Sequence, residues 1–347
     1  MPIHRLLALA RLTGNPIIEG DVATMVWQGQ SAPLVMDDLH NWDDSPQKMQ
    51  RLGASLWSFS ISLPSDAYLE YAFMDKHTGE RILDPLNPNQ VGNGVDGYNN
   101  FFYMPGSRSS PWIHPRKGMP RGKVTRYQVP TQDFAVGSER TVYLYAPPVE
   151  EPVPLVVVYD GQDYLRRGKL NIIVDNLIYM DRIRPFAMAL IHNGGQARTL
   201  EYSCAEPTLG FLTECILPLA RAHLSLVPPE EASYGVIGAS LGGLMALFTG
   251  LRLPRVFGKV LSQSGAFGTP EVEFAIVDLI RYAPRPPVRV WMDSGCLEWL
   301  LEGNRRMYTL LKKKSFTVRY HEFSAGHNYT AWRNDIWRGL EDLFGKK

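Results

Sequence analysis

The sequence predicts an all-β sandwich over residues 1–105, a linker over 106–123 and an α/β unit with a mostly parallel sheet over 124–347. Three observations carry this reading. In the first part, ATMVWQG, LWSFSISL and YLEYAFMD alternate apolar and polar residues at period two, the pattern of strands with one face buried. In the last part, unbroken apolar runs such as PLVVVYD and PFAMALIHN alternate with helical stretches, as in a parallel sheet covered on both faces. The third is YGVIGASLGGLMALFTGL at 234–251, a short β-branched run, a glycine-flanked serine and then a run of helix formers.

Taken in order, the opening MPIHRLLALARLTGNP carries a short apolar patch interrupted by Arg5 and Arg11. A secretory signal needs a longer unbroken apolar region and a small-residue cleavage site, so the expectation is a first helix of the folded chain. Turn clusters LHNWDDSP and DPLNPNQVGNG separate the alternating segments, which together read as a sandwich. From Met104 to Lys123 the chain is rich in Pro, Gly, Ser and basic residues without periodicity, the composition of a linker or an ordered crossover. Arg116, Lys117, Arg121 and Lys123 there read as a solvated connector.

TRYQVP and RTVYLYAPP then form paired strands, followed by a strand in PLVVVYD, a helix around Asn171–Met180 and a strand in PFAMALIHN. A helix over Leu209–His223 and a strand in SYGVIG lead into the helix after Ser240. The remainder alternates strand FGKVLSQSG, a helix from Val272, strand VRVWMDSG, helix Asn304–Lys313, strand TVRYHEF and a closing helix from about Ala331. Functional loops in such sheets lie at the carboxyl ends of the strands.

Bulk properties narrow the function classes. At 45% hydrophobic residues the chain has ordinary globular cores, and no run approaches the ~18 apolar residues of a spanning helix. A net charge of +1 argues against nucleic acid as the main partner. Cys204, Cys215 and Cys296 are an odd count without C-x-x-C spacing, which fits a reducing compartment and gives no metal site. The expectation is therefore a cytoplasmic protein with a small-molecule partner and no membrane association, with a homodimer left open. No metal cluster, phosphate loop or nucleotide fingerprint is present, so no cofactor is expected.

A G-x-S-x-G serine between a strand and a helix becomes a nucleophile because the sharp turn projects its hydroxyl. In this chain Gly238 and Gly242 flank Ser240 and leave no Cβ atoms to clash across the turn. A serine hydroxyl needs a base within hydrogen-bond reach, and in this arrangement the partners follow in the order serine, acid, histidine. Downstream histidines are His321, inside the alternating strand TVRYHEF, and His327, in the loop SAGHNYTAW after it. Loops at strand ends carry function, which favours His327. In DSGCLEWLLEGN three carboxylates compete for the acid: Asp293 at the strand end, Glu302 at a helix start, and Glu298, which is clear of both and is preferred. Its role would be to fix the tautomer of His327 and stabilise the imidazolium.

Two N–H donors are needed for an oxyanion hole. Leu241, after the nucleophile, supplies one, and Gln162, in the loop Asp160-Gly161-Gln162-Asp163, is the natural second. Gly161 lets that loop approach a substrate closely, while Asp160 and Asp163 read as turn or capping residues. Arg198 and Glu201 in GGQARTLEYS fall at the next strand end. They would hold an ester carbonyl or an anionic aromatic, or else form a local ion pair that pins the loop.

From about Gly122 onward the chain resembles the esterase-D-like branch of α/β-hydrolases, which includes enterochelin (enterobactin) esterases, feruloyl esterases and mycolyltransferases. The motifs are YDGQ at 159–162, GASLGG at 238–243, FGKVLSQSGAF at 257–267, GCLE at 295–298 and AGHNYTAWR at 325–333. VWQG at 26–29, LWSF at 56–59, YLEYAF at 68–73 and LDPLNP at 83–88 are similar to the family's immunoglobulin-like, early-set N-terminal domain. The resemblance implies an α/β-hydrolase fold with Ser240 as nucleophile, His327 as base, Glu298 at the acid position and Trp332 of the H-x-x-x-x-W-R ending among the substrate contacts. It implies a serine esterase acting on a catecholate-siderophore lactone. A broader esterase on short acyl, feruloyl or acylated-sugar esters is the alternative, and a non-catalytic binding protein a third reading. The chain departs from the family where Asn328 follows the histidine.

Overall fold

The computed structural model describes residues 3–94, 97–231, 233–268 and 274–346. Two compact units emerge. The first comprises residues up to Ser109 together with two short segments from far along the chain, Gly295–Trp299 and Phe323–Ala331; the second holds Ser110–Ser294, Leu300–Glu322 and Trp332 onward.

The first unit starts with helix α1 (Ile3–Thr13) and continues with strands β1 (Ile17–Glu19), β2 (Val22–Gln28), β3 (Leu34–Asp37), β4 (Gln47–Lys48), β5 (Gln50–Arg51), β6 (Leu56–Ser62), β7 (Tyr68–Met74), β8 (Arg81–Ile82), β9 (Gln90–Gly92) and β10 (Tyr98–Tyr103). One sheet runs β1-β2-β6-β5 and the other β4-β3-β7-β10-β9, with β8 on β7. Alternation in ATMVWQ and LWSFSIS turns Ala23, Met25 and Ile61 into a core shared with Val35, Leu69, Tyr71 and Phe73 of the other sheet. Leu297, from one of the returning segments, is buried in that same core. The other segment is tied by the Tyr68 N–H, which donates to the Ser324 carbonyl at 2.9 Å.

After Ser109 the chain forms β11 (Lys123–Pro130), β12 (Glu139–Ala146), β13 (Leu155–Val158), α2 (Gly161–Arg166), α3 (Leu170–Tyr179), β14 (Ala187–Ile191), α4 (Arg198–Tyr202), α5 (Glu206–Phe211), α6 (Leu217–His223), β15 (Tyr234–Ala239), α7 (Leu241–Arg252), β16 (Phe257–Gln263), α8 (Ala275–Tyr282), β17 (Arg289–Gly295), α9 (Leu301–Lys313), β18 (Thr317–Phe323) and α10 (Tyr329–Phe344). Its eight-stranded sheet has the order β11-β12-β14-β13-β15-β16-β17-β18. The β13–β14, β13–β15, β15–β16 and β16–β17 pairs are parallel; β11–β12 and β12–β14 are antiparallel. Every residue of β13, β14 and β15 is buried, which is why these strands read as unbroken apolar runs and not as alternation.

Two expectations change in detail, and one of two alternatives for the stretch after Ser109 is met. The helix over Leu209–His223 starts earlier, at Glu206, and is interrupted by a π-helical turn at Leu212–Ile216. Pro218 follows after Leu217, and lacking an N–H it cannot continue the α-helical ladder, so the preceding turn widens. The helix placed from Val272 begins outside the described residues; within them α8 runs from Ala275. The stretch after Ser109 is an ordered crossover against α3: Asn176 Nδ2 donates to the carbonyls of Trp112 at 2.7 Å and His114 at 3.0 Å. The Gly122 N–H donates to Asp175 Oδ1 at 2.9 Å.

Candidate active site

The serine turn is where β15 hands over to α7. Ser240 lies at φ 58°, ψ −125°, a region that costs a non-glycine residue on the order of 1–3 kcal/mol and persists only where its surroundings over-determine it. The surroundings do so. The Ser240 N–H donates to the Gln263 carbonyl of β16 at 2.9 Å, and its carbonyl accepts from Leu244 at 3.1 Å and Ala266 at 3.0 Å. A Cβ at Gly238 would overlap the Gly242 carbonyl, so only glycine lets strand and helix close so tightly. Leu241 opens α7, and its N–H is one of the amides that a helix start leaves without an intrahelical acceptor.

A second set of contacts fixes the neighbouring strand ends. Asp160 follows β13, is 1% exposed, and accepts from Arg198 Nε and Nη2, each at 2.7 Å. Asn193 Nδ2 adds a third bond at 2.7 Å, and Arg198 Nη2 continues to the carbonyl of Ala239 at 3.3 Å. One carboxylate thus joins the ends of β13, β14 and β15, one residue from Ser240. Arg198 and Glu201 therefore take different partners from the local pair considered above. Glu201 is clamped in a buried bidentate pair with Arg140, at 2.7 and 2.8 Å, and also accepts the Val136 N–H at 2.9 Å. Gln162 is the second residue of α2, and its Oε1 accepts the Asn193 N–H at 3.3 Å. At Gly161 the close approach is to the chain itself, since a Cβ there would overlap the backbone of Leu190 and Ile191 in β14.

His327 and Glu298 come together in the first unit. His327 Nδ1 lies 2.9 Å from Glu298 Oε2, with the glutamate side chain 0% exposed and the imidazole 11%. The two competing carboxylates are engaged elsewhere. Asp293 is fully buried, its Oδ2 accepting from Trp291 Nε1 at 3.0 Å and Gln263 Nε2 at 3.3 Å. Glu302 is an exposed partner of Arg305 at 2.6 Å. His321 faces Asp335 at 3.4 Å, in keeping with a histidine placed by the pleat. Asn328 caps α10 by accepting the Ala331 N–H at 2.9 Å and reaches back to Asp38 Oδ2 at 3.1 Å. The histidine loop is thereby fixed from a residue of the sandwich.

Two tryptophans depart from expectation. Trp299, which sequence reasoning passes over, packs on the His327 ring with centroids 4.6 Å apart while staying 49% exposed; its position directly after Glu298 is the available signal. Trp332 is the one expected at the substrate. It is 4% exposed, and its Nε1 donates to Ser264 Oγ at 2.9 Å, because its place on α10 turns the indole inward. Among the described residues no group of three His, Cys, Asp or Glu is placed to hold a metal ion. No helix there is long and apolar enough to cross a membrane.

A strained serine between strand and helix in a mostly parallel sheet defines the class as α/β-hydrolase-like. Residues 134–343 match the model of a family described as putative esterase, and the chain belongs to that family. It is a carboxylic ester hydrolase. It is 23% identical to the iron(III) enterobactin esterase of Escherichia coli K12 over 88% of this chain and 84% of that one. The ferric enterobactin esterase of Salmonella typhimurium has the same fold, with a TM-score of 0.81 at 23% identity over 97% of this chain and 98% of that one. A ferulic acid esterase of Anaeromyces mucronatus matches with a TM-score of 0.57 at 18% identity over 67% of this chain and 95% of that one.

Proposed function

We propose that this esterase opens ester bonds of a catecholate-siderophore lactone, through an acyl-enzyme on Ser240. In this reading Ser240 Oγ attacks the ester carbonyl carbon and passes its proton to His327 Nε2. Glu298 accepts the Nδ1 proton in a hydrogen bond and steadies the imidazolium. The tetrahedral oxyanion takes N–H donors from Leu241 and Gln162. The leaving alkoxide receives the proton from His327, and water then releases the acid by the reverse sequence. Iron would enter as part of the substrate.

The observation that carries the substrate class is coverage. Likeness to the Salmonella typhimurium esterase extends over 97% of the chain, sandwich included, whereas the ferulic acid esterase matches 67%. The exposed Trp299 ring beside His327 suits an aromatic acyl group. The experiment is a panel of cyclic triscatecholate trilactone, methyl ferulate and p-nitrophenyl acetate, run on wild type and Ser240→Ala. The expected result is the highest kcat/KM on the trilactone and a loss of about a thousandfold or more on every ester in the variant. A preference for the ferulate or acetate ester would replace the siderophore reading with that of a broader esterase. An undiminished rate in Ser240→Ala would remove the serine mechanism itself.

A further inference from the structure

A large cavity lies away from Ser240, at the amino ends of the strands of the second unit. It has a volume of about 740 Å³ and is walled by Pro152, Pro154, Pro185, Val227 and the end of α10, including Phe344. A smaller hollow of about 310 Å³ adjoins it, sharing Lys259, Arg289 and Leu343. Lys259 is the third residue of β16, while Ser240 binds the carbonyl of Gln263 at the other end of that strand.

The charges in this cavity are unequal. Its two carboxylates are already engaged: Asp342 with Arg289 at 2.9 Å and Arg319 at 2.8 Å, and Glu341 with Arg182 at 2.8 Å. Lys346 is paired with Asp181. Lys259 and Arg184 also line the cavity, and among the described residues neither has a carboxylate partner. The Lys259 amine is half-buried over the Phe344 ring, 4.8 Å from its centroid. Lysines are seldom buried without a partner. Burial, and then the charges of Arg184 and Arg289, hold this amine below the usual lysine value. A negative charge arriving in the cavity would counter the charges of Arg184 and Arg289, since an opposite charge favours the protonated form.

We propose that this cavity is a binding site for a small organic anion, its phosphate or carboxylate head between Lys259 and Arg184 and its apolar body against Pro154, Pro185 and Phe344. The site is separate from the ester chemistry and does not depend on the substrate assigned above. The ring and proline walls set the preference for an anion with an apolar body, and the two cations set the requirement for charge.

Calorimetric titration of the full chain in low-chloride buffer with phenyl phosphate, with benzoate and with neutral benzyl alcohol tests this. We expect saturable one-site binding of an anion with Kd on the order of 1 mM or tighter, weakening as salt is added. The tighter of the two anions identifies the head group as phosphate or carboxylate. Lys259→Met keeps the apolar stem on Phe344 and should weaken binding about tenfold or more, as should Arg184→Gln. Hydrolysis of p-nitrophenyl acetate should be unchanged in both, which reports that each is folded; should Lys259→Met not fold, Arg184→Gln alone decides. Absence of saturable binding, equal binding of benzyl alcohol, or anion affinity unmoved by these variants would each overturn the proposal.

Discussion

Ser240 keeps its positive φ because backbone hydrogen bonds with Gln263, Leu244 and Ala266 hold it on both sides of the turn. The partner of His327 is equally specific, since of three nearby carboxylates only that of Glu298 lies 2.9 Å from Nδ1. Glu298→Gln tests that pairing, because it keeps the side chain's shape and removes the charge that orients the imidazole. The expected outcome is a fall in kcat of about 10²- to 10⁴-fold with KM little changed, measured on p-nitrophenyl acetate, with the melting curve confirming a folded protein. A variant retaining most of its activity would show that the pair does not assist the base. The serine was legible in the sequence because its motif is local. Trp332 was not, because a motif does not say which way a helical side chain faces, and its indole turns to Ser264.

Strand ends in the second unit are held by long-range ion pairs. Asp160 meets Arg198 across 38 residues and Arg140 meets Glu201 across 61, so composition and spacing reveal neither pairing. The order of strands and helices was legible, since buried parallel strands leave apolar runs and amphipathic helices leave period 3.6. The π-helical turn before Pro218 was not legible in extent, because the widening depends on how the chain repairs a missing donor. The Arg140–Glu201 pair makes a prediction at this scale. Both side chains are 6% exposed, so removing one leaves a buried charge uncompensated. Arg140→Met should destabilise the fold by about 3–5 kcal/mol, while the double change Arg140→Met with Glu201→Leu should recover much of the loss. Urea unfolding of wild type and the two variants checks it; equal destabilisation in single and double variants would contradict the pairing.

At the scale of the whole chain, the sandwich contributes more than a fold of its own. Asp38, 0% exposed just after β3, accepts the Glu70 N–H at 2.8 Å and Asn328 Nδ2 at 3.1 Å, and so fixes the residue next to His327. Burial, and next the Glu70 carboxylate, push the Asp38 carboxyl well above its ordinary 3.8. A carboxyl whose folded value is raised holds its proton more tightly in the folded state than in the unfolded one. Its contribution to stability is therefore full below the ordinary value and is lost as pH rises through the folded value. Asp38→Asn cannot ionise and removes that loss. Its melting temperature relative to wild type should accordingly rise as pH is raised above that ordinary value, whatever constant offset the changed hydrogen bonds introduce. Thermal melts across that range decide the matter: a wild-type minus variant difference that stays flat, or that runs the other way, would mean that Asp38 is ionised throughout and holds Asn328 as a plain carboxylate.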